Sequence, residues 1–332
     1  MSMKRREFLV AAAAPLVAGA APERLLAAVA GGGVVALVTA DLESHLVAVD
    51  MSSGRIVKRI PVAPGPRSIE RHDSGRVLVA HTAFGRVSVL DAASLTVVGQ
   101  VSGLGEPRYA AMHPTERLAY VSDSKRNAVA VIDLAGLRIV GRALVPGPAR
   151  HLSLSTDGLR LWVALGPKAA HVAILDLSAP RSPRLVRTIQ PPFLAHDVVW
   201  APGDEHVWVT SGSRSEIAVY ARNGRAPLKR LPAGSAPQHV AFLGSRAYVA
   251  SGEDGSVRVH RLDGSVVRRD VTVPTGSYNI SFSGPNETFA KPAGVTPSLD
   301  RGTVCLLSRA GVVRHVRRVA RSAHDACIVE SG

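Results

Sequence analysis

A histidine followed directly by an aspartate occurs twice in the same tripeptide, Ala195-His196-Asp197 and Ala323-His324-Asp325, 128 residues apart. An imidazole next to a carboxylate is the material of a general-base dyad, and His and Asp from separate segments can converge on one cation. Successive strand residues point to opposite faces, so neither pair is a dyad within its own strand. Each imidazole would need a carboxylate from a neighbouring segment. No G-x-S-x-G elbow, H-E-x-x-H pair or P-loop accompanies them. Whether the duplication is chemistry or the echo of a repeat depends on the elements that carry it.

Those elements recur. Apolar runs open similar units at 35, 77, 119, 161, 207, 247 and 289, with 42 residues as the commonest step. Each unit reads strand, polar loop, strand, short turn, strand, Gly/Pro loop, strand, and no long amphipathic helical pattern intervenes. Seven such units predict an all-β, seven-bladed β-propeller of four-stranded blades occupying residues 31–332 as a single domain. The first unit begins on the second strand of a blade, and "HDACIVE" adds one strand of innermost type at the other end. Residues 324–329 are therefore expected to pair with 35–40 and close the ring.

The segment "AYVSDSKRNAVAVIDLAGLRIVG" resembles the YVTN-type propeller repeat of YncE-like proteins, with its Tyr-Val strand, Asn-x-Val-x-Val-Ile-Asp strand and Val-Val strand in order. The resemblance covers nearly the whole chain after residue 30, strongest in units two to four and weakest in the seventh. It implies the propeller fold and an envelope setting. It also brings relatives with lactonase activity, haem d1 propellers and quinoprotein subunits, so it says little about activity.

Aligning the innermost strands places Arg67-Ser68, Arg108-Tyr109, Arg150-His151, His196-Asp197, Gln238-His239, Tyr278-Asn279 and His324-Asp325 in one register. Both Ala-His-Asp copies fall there, three blades apart, so the repeat explains their origin. The third, fourth and fifth positions that follow read as core, being apolar or small apart from Glu70 and Arg71. A generic repeat of this type carries Pro and small residues at the first two positions, and this chain substitutes large polar ones. Such groups near the narrow end of seven wedges need partners, water or a ligand. Arg67, Arg108 and Arg150 lie on three consecutive blades, and His196, His239, Asn279 and His324 lie on the other four.

Three guanidinium groups without acids in their own column point to an anionic small molecule or partner group at the channel mouth. The ligand set expected is Arg67, Arg108, Arg150, His151, His196, Asp197, His239, Tyr278, Asn279, His324 and Asp325. If imidazolium charge contributes, affinity falls as pH rises through the histidine range. The competing reading is a rim that only latches blades together. No cofactor is predicted from the motifs. A divalent metal is compatible with the His and Asp residues, although nearby arginines oppose a bare cation. The alternatives to a binding or scaffold protein are a lactonase-like hydrolase with a channel-mouth His/Asp site and a propeller handling haem d1 or a quinone. Asp41, His81 and Asp123 are outer-shell candidates on the loops. "KPAGVTPSLDRG" reads as a flap over the mouth, and "RHVRRVARS" as a solvated outermost strand.

The formal charge is +14, to which the first thirty residues contribute only four basic and two acidic side chains. Aromatic residues are 4% of the chain, too few for base-stacking platforms, so nucleic acid is disfavoured as a partner. Residues 1–30 start "MSMKRREFLV" and continue apolar and Ala-rich to Ala-x-Ala-like sites; they resemble a twin-arginine export signal and imply a periplasmic or secreted protein. The mature chain is expected to hold no membrane span and to be a monomer. Cys305 and Cys327 sit on strands about two spacings (roughly 10 Å) apart, too far for a disulfide.

Overall fold

A computed structural model describes residues 33–283 and 294–332. The export-like segment 1–30 lies outside the described residues. The described strands form seven four-stranded antiparallel sheets arranged as the blades of a propeller. Apart from two single turns of 3-10 helix, 82–84 and 124–126, the described residues contain no helix. Hence none is long and apolar enough to cross a membrane.

Units begin where the periodicity places them. The second strands of the first six blades are Val34–Ala40, Arg76–His81, Leu118–Asp123, Arg160–Ala164, His206–Ser211 and Arg246–Ser251. The last strand, Ala326–Glu330, hydrogen-bonds to Val34–Ala40 in antiparallel register, with Val35 opposite Val329 and Val38 opposite Ala326. The ring therefore closes as expected.

The buried apolar residues fall into seven clusters, one at each blade interface. Strand alternation explains this: Val35 and Leu37 pack toward the second blade, while Ala36 and Val38 pack toward the seventh. At equivalent positions of four consecutive blades, Tyr120, Trp162, Trp208 and Tyr248 fill the next interface and are wholly buried. Cys305 and Cys327 are buried and unbridged, and they belong to interfaces on opposite sides of the seventh and first blades.

Two expectations need correction. Residues 294–298 of the presumed flap are a buried strand, Gly294–Ser298, paired with Thr303–Leu307. Only a tight turn remains, in which Gly302 adopts φ +61. Its first residues, 291–293, lie outside the described residues. The fourth innermost positions are also not uniformly core. Glu70, Ala111, Ser153, Val199 and Ser281 line the central channel, because the innermost strand is the sheet edge that faces the axis. The basic outermost strand Val313–Arg318 is largely exposed, as its charge pattern implies.

Candidate functional site

The chain approaches the axis irregularly just before or at several innermost strands. Regular pairing starts only at Leu152, Val240 and Ala326, after the polar pairs Arg150-His151, Gln238-His239 and His324-Asp325. In the fifth blade the register shifts between Ala195 and Val198, across His196-Asp197. A bulge breaks the strict alternation of side chains. First- and second-position residues can therefore meet, which a regular strand would forbid.

The result is a cluster of three imidazoles from consecutive blades. Ring centroids are 4.5 Å apart for His151 and His196, 4.8 Å for His151 and His239, and 5.6 Å for His196 and His239. One ring nitrogen from each lies within 4.8 Å of the other two, so the three could hold a metal ion. Tyr109 packs on His151 with centroids 4.1 Å apart. His324 is not in this cluster; its Nδ1 lies 3.0 Å from the Arg67 carbonyl.

The two Ala-His-Asp copies share one latch. In each, the Asp N–H donates to a threonine Oγ1, Asp197 to Thr210 (3.0 Å) and Asp325 to Thr39 (2.9 Å). Those hydroxyls donate onward to the next blade, at the carbonyls of Gln238 and Arg67. Each Asp Oδ1 accepts the following N–H at 2.8 Å. Only the second carboxylate oxygen differs. In Asp325 it accepts the Ile69 N–H at 3.1 Å, whereas in Asp197 it lies 3.2 Å from His239 Nδ1. One copy is architecture; the other orients an imidazole through an adjacent blade.

Burial, reinforced by the His239 ring and the Arg150 guanidinium, pushes His196 down to about 3. Burial first, then His196 and His239, holds His151 well below the ordinary histidine range. Burial and Arg67 do the same to His324. His196 and His324 keep a partly open edge, but the surrounding ring and the arginine field act in the same direction. These three imidazoles are neutral at neutral pH. The imidazolium charge expected from the sequence is not available from them, because burial keeps them uncharged and the neighbouring arginines add to that effect.

Arg67, Arg108 and Arg150 each bury an Nε–H that has no hydrogen-bond partner. Arg108 does find an acid two residues before it, Glu106 at 3.1 Å, and the Arg150 guanidinium meets the Tyr109 hydroxyl. Burial lowers Arg150, and the charges of Arg108 and Arg67 add to that effect. Burial also raises the Tyr109 phenol to about 12, so it stays protonated.

Beneath this layer a cavity of about 520 Å³ follows the central channel. Tyr109, His151, Asp197, His239, Asn279 and Asp325 line one end, and Asp73, Pro114 and Thr156 line the other. The three arginines, His196, Tyr278 and His324 are not among its walls. Tyr278 instead packs over Gly252, and Asn279 donates to the His324 carbonyl at 3.3 Å. The outer-shell candidates separate from the site. His81 bridges the Pro64 carbonyl and Ser88, and buried Asp123 accepts the Gly105 and Glu106 N–H groups. Asp41 keeps one buried oxygen without a partner.

Sequence reasoning passed over Glu70, assigned to a core position. It lines the channel near Asp325, and the signal that marks it is its being the one charged residue among the seven fourth positions. Burial within the ring, then Asp325, pushes its carboxyl up to about 8, although water in the channel reaches part of its surface. Burial raises Asp325 to about 7. A carboxyl whose folded pKa is raised stabilises the protein below its unfolded pKa, near 4.5 for Glu70. That contribution is lost as pH rises through about 8. Because Glu70 is exposed to the channel, water screens part of this effect; Glu70→Gln is expected to raise the melting temperature slightly in mildly alkaline buffer and to change it little in mildly acidic buffer. Equal shifts in both buffers would show that the carboxyl is not perturbed.

No family model matches the chain, and no curated protein matches it. Among solved structures, the chain is similar to a Kuenenia stuttgartiensis hydrazine synthase chain at 17% identity and a TM-score of 0.67, covering 86% of this chain and 92% of that one. It is also similar to a functionally unknown protein from Desulfotomaculum acetoxidans, at 11% identity and a TM-score of 0.73, covering 90% of this chain and 99% of that one. At such identities the likeness shows the propeller fold alone.

Proposed function

We propose that the protein binds an anionic small molecule, or an anionic group of a partner, at the mouth of the central channel through Arg67, Arg108 and Arg150. The observation that carries this is the set of three buried guanidinium N–H donors with no acceptor. Leaving one such donor unsatisfied costs about 1–3 kcal/mol. An oxyanion seated among them would supply the missing acceptors and relieve the mutual repulsion of the three charges. The YVTN-type resemblance and the twin-arginine-like start support an extracytoplasmic setting. Recognition is favoured over turnover because the imidazoles contact one another, Tyr109, Asp197 and backbone carbonyls, and no Ser or Cys hydrogen bond to them occurs among the described residues. The lactonase-like alternative draws on the histidine cluster and requires a bound metal.

Calorimetric titration with a panel of carboxylates and phosphates tests the reading. Arg67→Ala, Arg108→Ala and Arg150→Ala are each expected to weaken the best anion about tenfold or more, since charge-assisted hydrogen bonds contribute about 1.5–3 kcal/mol. Without ligand, their melting temperatures should stay level or rise, because a buried unpaired donor is removed. Lower melting temperatures in all three, with unchanged affinity, would make the arginines blade latches and overturn the proposal.

A further inference from the structure

The three-imidazole cluster has a feature that anion binding does not use: its tautomers are set. The groups facing Nδ1 of His239 and Nδ1 of His196 are the Asp197 carboxylate (3.2 Å) and the Pro167 carbonyl (3.3 Å). Carboxylate and carbonyl oxygens accept, so these contacts call for a hydrogen on Nδ1 of each ring, the tautomer that leaves the lone pair on Nε2. His151 is more telling. It is 1% exposed, and neither ring nitrogen makes a well-formed hydrogen bond, although the His196 backbone approaches one of them. A buried imidazole with two unsatisfied nitrogens is costly unless something else occupies the cluster.

We propose that His151, His196 and His239 form a three-histidine site for a late divalent transition metal of the zinc or copper class, with Asp197 and the Pro167 carbonyl orienting two of the ligands. Imidazole donors suit these ions and not magnesium or calcium, which take oxygen ligands. An acceptor behind each ligating ring is the usual support of such sites. Metal–nitrogen bonds of about 2.0–2.1 Å set tetrahedral ligands about 3.4 Å apart. Nitrogens lying within 4.8 Å of one another reach that spacing when each ring moves inward by less than about 1 Å. Three protein ligands leave at least one coordination position for water or an anion. The site rests on the imidazoles alone and does not depend on anion recognition by the arginines. Arg150 acts electrostatically on both His151 and His196, so its charge opposes the cation.

The test uses the untagged full chain, stripped with a chelator and titrated with zinc, copper(II) and cobalt(II) chlorides, with bound metal counted after equilibrium dialysis. One zinc or copper ion per chain is expected, and the cobalt form should show the visible bands of a four- or five-coordinate site. His151→Leu, which removes the unsatisfied ring, is expected to fold at least as stably as the parent and to lose at least tenfold in metal affinity. Asp197→Asn should lose about tenfold. His324→Gln, outside the cluster, should bind as the parent does. Arg150→Ala should bind metal more tightly, opposite to its expected effect on the anion, so the two readings succeed or fail separately. Absence of stoichiometric metal in the parent, or equal affinity in the parent and His151→Leu, overturns the site.

Discussion

Removing residues 323–332 is expected to leave no soluble, folded monomer. The segment supplies the innermost strand of the first blade, and its Ala326, Cys327, Ile328 and Val329 are all buried. Ile328 and Val329 bury side chains that each contribute about 1.5–3 kcal/mol, against a net stability of about 5–15 kcal/mol for typical proteins. They also belong to two different interfaces, Ile328 to that with the seventh blade and Val329 to that with the second. The deletion opens both at once and exposes the paired edge of Val34–Ala40, a template for aggregation. Size-exclusion chromatography and circular dichroism of the truncated chain check this. A monodisperse truncated protein melting at the parent temperature would show that ring closure contributes little.

Mild acid is expected to have the next largest effect. An unfolded histidine takes up a proton near pH 6.5, whereas burial holds His196 down to about 3 and His151 and His324 well below the ordinary range. Groups with depressed folded pKa values contribute stability that is full above 6.5 and is lost as pH falls toward their folded values. Each pH unit below 6.5 costs about 1.4 kcal/mol for every histidine kept neutral, so His196 alone accounts for about 3 kcal/mol by pH 4.5. Urea unfolding midpoints measured from neutral pH to about pH 4.5 should therefore fall more steeply in the parent than in His196→Gln. Parallel curves for the two proteins would mean that His196 is protonated in the folded state.

The propeller was legible in the chain because its determinants are local and repeated. Unbroken apolar runs at 35–38, 119–121 and 207–209 state that both faces of the strand are buried, and seven recurrences of the unit leave one closed arrangement that buries them all. The surplus strand follows from the same count, expected over 324–329 and found at Ala326–Glu330. The position of the polar pairs at the inner edge was legible too, since register alone places Arg67, Arg108, Arg150, His151, His196, His239 and His324 around the axis.

Which of those residues meet was settled by tertiary structure. Alternation argues that neighbours diverge, yet the irregular approach at Arg150-His151 and the bulge at His196-Asp197 bring His151, His196 and His239 together and send His324 to the Arg67 carbonyl. Identical Ala-His-Asp segments became different objects because the next blade presents His239 to Asp197 and the Ile69 N–H to Asp325. Charge states were likewise beyond the sequence. Whether an imidazole or a carboxyl such as Glu70 is ionised depends on how much water and which charges surround it, and in a closed ring those neighbours come from blades that are distant along the chain.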